Sequence, residues 1–209
     1  MKFSLYVARI YYLARYISAA RCYVTVFSVV LFLHLLGAVA LFIGYGIEWT
    51  ASSLFRNASS TEQVRSWLRV CKVSPPLTGV GLGIVLLSGG YLASLSGAMK
   101  QGWIPATLIA IFFALALGFG LILPRMKRIR AALPPGNDPV SAQLRERVSD
   151  VVLLTAIRVR VLLVTGIVFL MAAKISFVPS LVAITIAAIL GIIFSIPTWS
   201  RTATAAAKA

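Results

Sequence analysis

The chain has 209 residues, of which 60% are hydrophobic and only 12% charged, with a formal net charge of +15. A soluble domain carries about 25% charged residues, so an ordinary soluble fold is excluded; the long apolar runs approach the ~20 residues that cross ~30 Å of hydrocarbon, and each must be helical to satisfy its backbone there. The runs do not alternate, which excludes a β-barrel, and the basic residues fall mainly between runs with no base-reading motif beside them, which points to lipid rather than nucleic acid.

Residues 3–20 (FSLYVARIYYLARYISAA) are apolar enough to suggest a span. Arg9 and Arg15 would lie inside it, at about 2.5–3.5 kcal/mol each near the centre. Segment 1–23 is therefore read as lying along the interface, its Tyr and Arg residues at headgroup level. A misassigned start is a second reading. A signal-peptide n-region, with Ala38-Val39-Ala40 as cleavage site, is a third; the apolar run continuing through Leu41-Phe42-Ile43 opposes it.

Five spans follow, at about 24–46, 77–97, 103–123, 155–176 and 180–196. They predict an all-α polytopic transmembrane helical bundle over residues 24–198, with a tail at 199–209. Pro75-Pro76, Pro124, Pro179 and Pro197 stand at the margins, where helices end. Only Ala98 to Gly102 join the second and third spans, which predicts an antiparallel hairpin. Cys22 and Cys71 fall on opposite sides of the first span and cannot pair.

Between the first two spans, Ser59 and Glu62 have capping-box spacing. Val64, Trp67, Leu68 and Cys71 follow at helical intervals, with Arg65, Arg69 and Lys72 on an adjacent face. This short amphipathic helix either lies in the interface, its cations on headgroups, or packs on the bundle. After the third span, Arg125, Lys127, Arg128 and Arg130 would hold anionic headgroups at about 1 kcal/mol each, or simply anchor the topology. Pro134-Pro135-Gly136-Asn137 breaks the chain. Asp138-Pro139 then predicts an N-cap and first turn, with a helix that runs on into the fourth span.

Arg56, Arg65, Arg69, Lys72, Arg125, Lys127, Arg128, Arg130, Arg145, Arg147, Arg158, Arg160, Arg201 and Lys208 fall on one side of the membrane. Lys2, Arg9, Arg15, Arg21, Lys100 and Lys174 fall on the other. The excess of cations inside places the N-terminus outside and the C-terminus in the cytoplasm, although Arg9, Arg15 and Arg21 pull locally the other way.

Catalytic residues are not expected. With five acidic residues and one histidine, no triad, metal set or phosphate loop can be assembled. Gly79-Val-Gly81-Leu-Gly83 lacks the strand and spacing of a nucleotide loop and reads as helix packing. So do Ala183, Ala187, Gly191 and Ser195, then Ala110, Ala114 and Gly118, and then Ser88, Gly89, Gly90 and Ser94. His34, near the middle of the first span, is either a haem or copper ligand, a proton carrier, or a histidine hydrogen-bonded across the bundle. Met171 is its conceivable second ligand. Glu48 predicts a pairing with Arg56, Arg158 or Arg160, beside the interfacial Trp49. Arg158 and Arg160 point to different helix faces, one toward headgroups and one toward the bundle. Lys174 snorkels at the outer end of the fourth span or anchors the turn after it.

Taken together, the His34–Gly37 stretch, Glu48-Trp49, Leu87-Ser88-Gly89-Gly90-Tyr91-Leu92-Ala93 and RVRVLLVTGIVFLMAAK from Arg158 to Lys174 carry a resemblance. Over about residues 25–198 the chain resembles a bacterial family of predicted integral membrane proteins of unknown function. That implies a multi-pass protein of the bacterial inner membrane and no activity. Ile175 stands where that family usually has proline after the lysine. The His34 stretch is also similar to the copper-resistance D-type membrane proteins, in which a histidine opens a similar small-residue segment.

The expected function is a non-enzymatic bundle that binds a partner or ligand between helices. Lipid, an identical subunit or a membrane protein would be its partner. The alternatives are a haem- or copper-handling redox protein using His34, and a small-solute transporter with a polar midplane cavity near His34, Ser88 or Thr165.

Overall fold

The computed structural model describes the backbone of residues 2–197 and 199, with side chains from residue 24 on. The side chains of Arg9, Arg15, Arg21 and Cys22, and the tail with Arg201 and Lys208, lie outside the described residues. α1 covers Lys2–Phe55, α2 Thr61–Cys71 and α3 Ser74–Leu95. α4 covers Trp103–Ala116 and passes through a π turn at Leu117–Ile122 into α5, Leu123–Ala131. α6 is Ala142–Val148, α7 Val151–Ala173 and α8 Phe177–Ile193. The fold is all-α.

Four helical stretches are long and apolar enough to cross a membrane: Val24–Phe55, Thr61–Leu95, Trp103–Ala131 and Ala142–Ala173. α8 is a fifth apolar helix of 17 residues, at the short end of the ~17–25 that span. α1 runs through residue 23 without a break, so residues 2–23 continue the first span as helix. The sequence supplies no proline and, before Gly37, no glycine to interrupt it.

Glycines set which helices touch. A Cβ on Gly37 would come within 3.0 Å of the Gly81 carbonyl oxygen, and one on Gly81 within 2.9 Å of the Gly37 carbonyl oxygen. α1 and α3 therefore approach backbone to backbone, as small residues allow in lipid. Gly79, Gly83 and Gly90 meet nothing, so only part of each glycine run is a seam. On the other side, Ala106, Ala110 and Ala114 of α4 are buried with Leu163, Ile167 and Leu170 of α7 and Ile184 of α8. Gly191 of α8 lies against the Val159 backbone.

The result differs from the expected hairpin. α3 packs on α1, whereas α4 packs on α7 and α8. The short Ala98–Gly102 connection does not make its two helices neighbours, because each has a better small-residue seam elsewhere.

At the basic end a cap closes the bundle. Val64, Leu68 and Cys71 of α2 are buried with Phe55, Met126, Ile129, Leu144, Val148 and Leu153, so α2 packs on the bundle. Its cap residue is Ser60, whose Oγ accepts from the Gln63 N–H, one position later than the expected Ser59. Glu62 instead pairs with Arg65 and Arg69. The 132–141 segment is tied to α2 by the Thr61 N–H donating to the Asp138 carbonyl at 2.9 Å. Asp138 and Pro139 therefore do not start a helix. α6 starts after Ser141, whose side chain caps it, and it ends before Asp150 caps α7, so no continuous helix enters the fourth span. Pro124 does not end the third span either. The π turn before it shifts the hydrogen-bond register, and Pro124 sits in the first turn of α5, where its missing N–H costs nothing.

Candidate functional site

Two charged residues of the spans, Glu48 and Arg160, meet in the interior. Arg160, nine residues into α7, lies 3.3 Å from Glu48 of α1. The two side chains are only 11% and 12% exposed. The second carboxylate oxygen accepts from Ser74 Oγ at 2.7 Å. The Arg160 guanidinium also stacks 4.2 Å from the centre of the Tyr45 ring, a favourable cation–π position. Tyr45 and Glu48 stand three apart, so α1 presents ring and carboxylate on one face. Gly118 completes the pocket: a Cβ there would lie 3.1 Å from Arg160 Nη1. The π turn and its glycine thus make room for the guanidinium. Such turns often mark functional positions.

Of the three arginines expected to compete for Glu48, Arg160 takes it. Arg158 turns to the other face, donating to the Phe194 carbonyl at 3.0 Å and lying 5.7 Å from the Trp49 ring centre.

Around this pair lies a cleft of about 240 Å³. Its walls come from Tyr45, Ser52 and Phe55 of α1, Pro75, Thr78, Gly79 and Leu82 of α3, and Ile157 of α7. Ala114, Leu115, Gly118, Phe119, Ile122, Leu123 and Met126 supply the wall from the α4–α5 helix. Most of these are apolar. Glu48, Arg130 and Arg160 are the charged residues of the lining, which leaves one excess positive charge. α3 and the α4–α5 helix, neighbours in sequence that share no packing seam, stand on either side of the cleft as two of its walls.

His34 lies elsewhere. Its Nδ1 is 3.0 Å from Ser88 Oγ, and Gly89 is open because the ring occupies the space a Cβ would take, 2.9 Å from His34 Cε1. This is the hydrogen-bonded histidine across the bundle. Met171 packs in the α4–α7–α8 cluster, a different set of neighbours. Among the described residues no group of three His, Cys, Asp or Glu side chains could hold a metal. Thr165 bonds back to the Val161 carbonyl. Neither His34, Ser88 nor Thr165 lines the cleft.

The expected headgroup cations divide into two groups. Arg65 donates to the Pro134 and Gly136 carbonyls, Arg69 pairs with Glu62, and Arg125 pairs with Asp150 at 2.9 Å, so these three hold the cap together. Lys72, Lys127, Arg128 and Arg130 are exposed. Lys174 is exposed and holds a left-handed conformation, φ 48°, at the end of α7. It anchors the turn through its backbone N–H, which bonds to the Leu170 carbonyl.

Tyr45, Ser74 and the cleft wall at Leu82, Leu115 and Phe119 were not among the residues singled out in the sequence. Tyr45 carried a usable signal, an aromatic ring one turn before the single acidic residue of the first span. No protein-family model, curated protein or solved structure matches the chain, so the site's own geometry bears the functional argument.

Proposed function

We propose that this chain is a non-enzymatic, multi-pass membrane protein that binds an amphiphilic ligand in the cleft between α3 and the α4–α5 helix. The carrying observation is the cleft itself: apolar walls around a buried, hydrogen-bonded ion pair. A pocket of apolar walls with a few convergent polar groups is the usual form of a ligand site. The hydroxyl beside the Glu48 carboxylate, Ser74, is fully buried and outside the cleft lining, so it does not face a substrate as the nucleophile of acyl or phosphoryl transfer must. The bacterial inner membrane is the proposed location, with the basic cap in the cytoplasm, supported by the cation excess at that end.

The test is photocrosslinking in native membranes with a lipid carrying a diazirine in its acyl chain. Adducts on Leu82, Leu115 or Phe119 are expected above those on lipid-facing residues outside the cleft, such as Phe32 and Ile189, both exposed on the helix surfaces. Equal labelling of all five would reject the reading.

A further inference from the structure

Resting on that reading, we infer that the occupant is an anionic phospholipid of the leaflet at the basic end, with its phosphate at Arg130 and an acyl chain reaching past Gly118 toward Ala114. Three observations carry this.

The first is length. The α4–α5 wall runs from Ala114 to Arg130, about 24 Å at ~1.5 Å per residue. One leaflet is about 20–22 Å, half of a ~40–45 Å bilayer. The apolar end of the wall, at Ala114 and Leu115, lies toward the membrane interior, and the charged end, at Arg130, lies at the cap. The cleft has the dimensions and polarity of a lipid standing upright.

The second is volume. A site that encloses a whole small ligand typically holds ~300–1,000 Å³, and this one holds about 240 Å³. The shortfall suits a guest that keeps part of its length in the bilayer.

The third is charge. Glu48 neutralises one of the two arginines, and one positive charge is left over. Arg130 is exposed and makes no ion pair with the described residues. With Arg160 paired to Glu48 beside Gly118, Arg130 is the cation left over, and a singly charged phosphodiester there balances the site and receives charge-assisted hydrogen bonds from its guanidinium.

The experiment titrates lipid onto the full-length protein in detergent and reads retained lipid by native mass spectrometry. The probes are phosphatidylglycerol, phosphatidylcholine and inorganic phosphate. Wild type is expected to hold phosphatidylglycerol about tenfold or more tightly than phosphatidylcholine, whose phosphodiester is the same but whose quaternary ammonium brings a second positive charge beside that of Arg130. Arg130→Gln should abolish that preference. Arg128→Gln removes an equal charge from the same helix but outside the cleft lining, and should keep it. Gly79→Leu fills the cleft from a position where a Cβ meets nothing, and should lose both lipids while the unfolding temperature stays unchanged. Inorganic phosphate should displace neither lipid.

Equal retention of the two lipids, still blocked by Gly79→Leu, would overturn the anionic-lipid assignment and leave the cleft reading standing. Displacement by inorganic phosphate, or equal effects of Arg128→Gln and Arg130→Gln, would also overturn the assignment. Lipid retention untouched by Gly79→Leu would bring down both.

Discussion

Glu48 and Arg160 form the most buried ion pair seen among the described residues, and its energetics are lopsided. Removing one member of a buried pair leaves an uncompensated charge and costs about 3–5 kcal/mol, whereas replacing both is often neutral. Glu48→Gln and Arg160→Gln are each expected to lower thermal stability by about that amount. The double variant Glu48→Gln/Arg160→Met should recover much of the loss. Additive single effects in a double-mutant cycle would contradict the pairing. Glu48→Gln should be the worse single change, because arginine cannot shed its charge while a carboxylate can take up a proton. The pairing itself was only partly legible in the sequence. Composition and span position put Glu48 and three arginines at similar depth. The choice of Arg160 depends on which side of α7 faces α1 and on the space over Gly118. Neither is encoded locally.

At the scale of helices, the close contact of α1 and α3 depends on particular glycines rather than on glycine content. Gly81→Ala drives a methyl to 2.9 Å from the Gly37 carbonyl oxygen. It should cost about 1–3 kcal/mol, the usual penalty of overpacking. Gly83→Ala, two residues on, meets nothing and should be neutral or stabilising by up to ~1 kcal/mol through helix propensity. Thermal unfolding of the two variants in detergent checks the contrast; equal destabilisation would remove the close-approach argument. Spans were readable here because a run of apolar residues in lipid has one low-energy backbone. Helix ends were read less well. Pro124 looked like a terminator because a π turn has no sequence signature strong enough to anticipate, and that turn is what lets the helix continue. Ser59 and Ser60 each stand three residues before a glutamate or glutamine, so capping-box spacing alone does not separate them. Asp138-Pro139 failed as a helix start because the segment is pinned to α2 by a long-range bond.

The molecule has a densely charged end and a sparsely charged one, and all five acidic residues accompany the cations of the first. Orientation is testable with single cysteines in a Cys22→Ser background. Cys71 is 3% exposed and should stay silent. Lys100→Cys, on the exposed turn before α4, should react with an impermeant maleimide added to intact cells. Arg128→Cys, on the cap side, should react only after permeabilisation. The reverse pattern would invert the topology. The apolar segments and the shared side of the two basic loops could be read directly. The packing order could not, because neighbours along the chain were assumed to be neighbours in space. The side-by-side pairing of α1 with α3, and of α4 with α7 and α8, is set by matching small-residue seams across long sequence distances.

That arrangement divides the bundle into a two-helix leaf and a three-helix leaf. Along the membrane the leaves are joined through the α1–α7 contact, and on the sparsely charged side by a turn at Gly97, whose φ of +66° only glycine adopts without strain. At the basic end the cap ties the leaves as well, through α2 packed on α5 and α6, so α3 and α4, which share no seam, have room to spread only between the cap and the Gly97 turn. A guest could part the leaves like the covers of a book bound along α1 and α7, and withdrawal would let them close again.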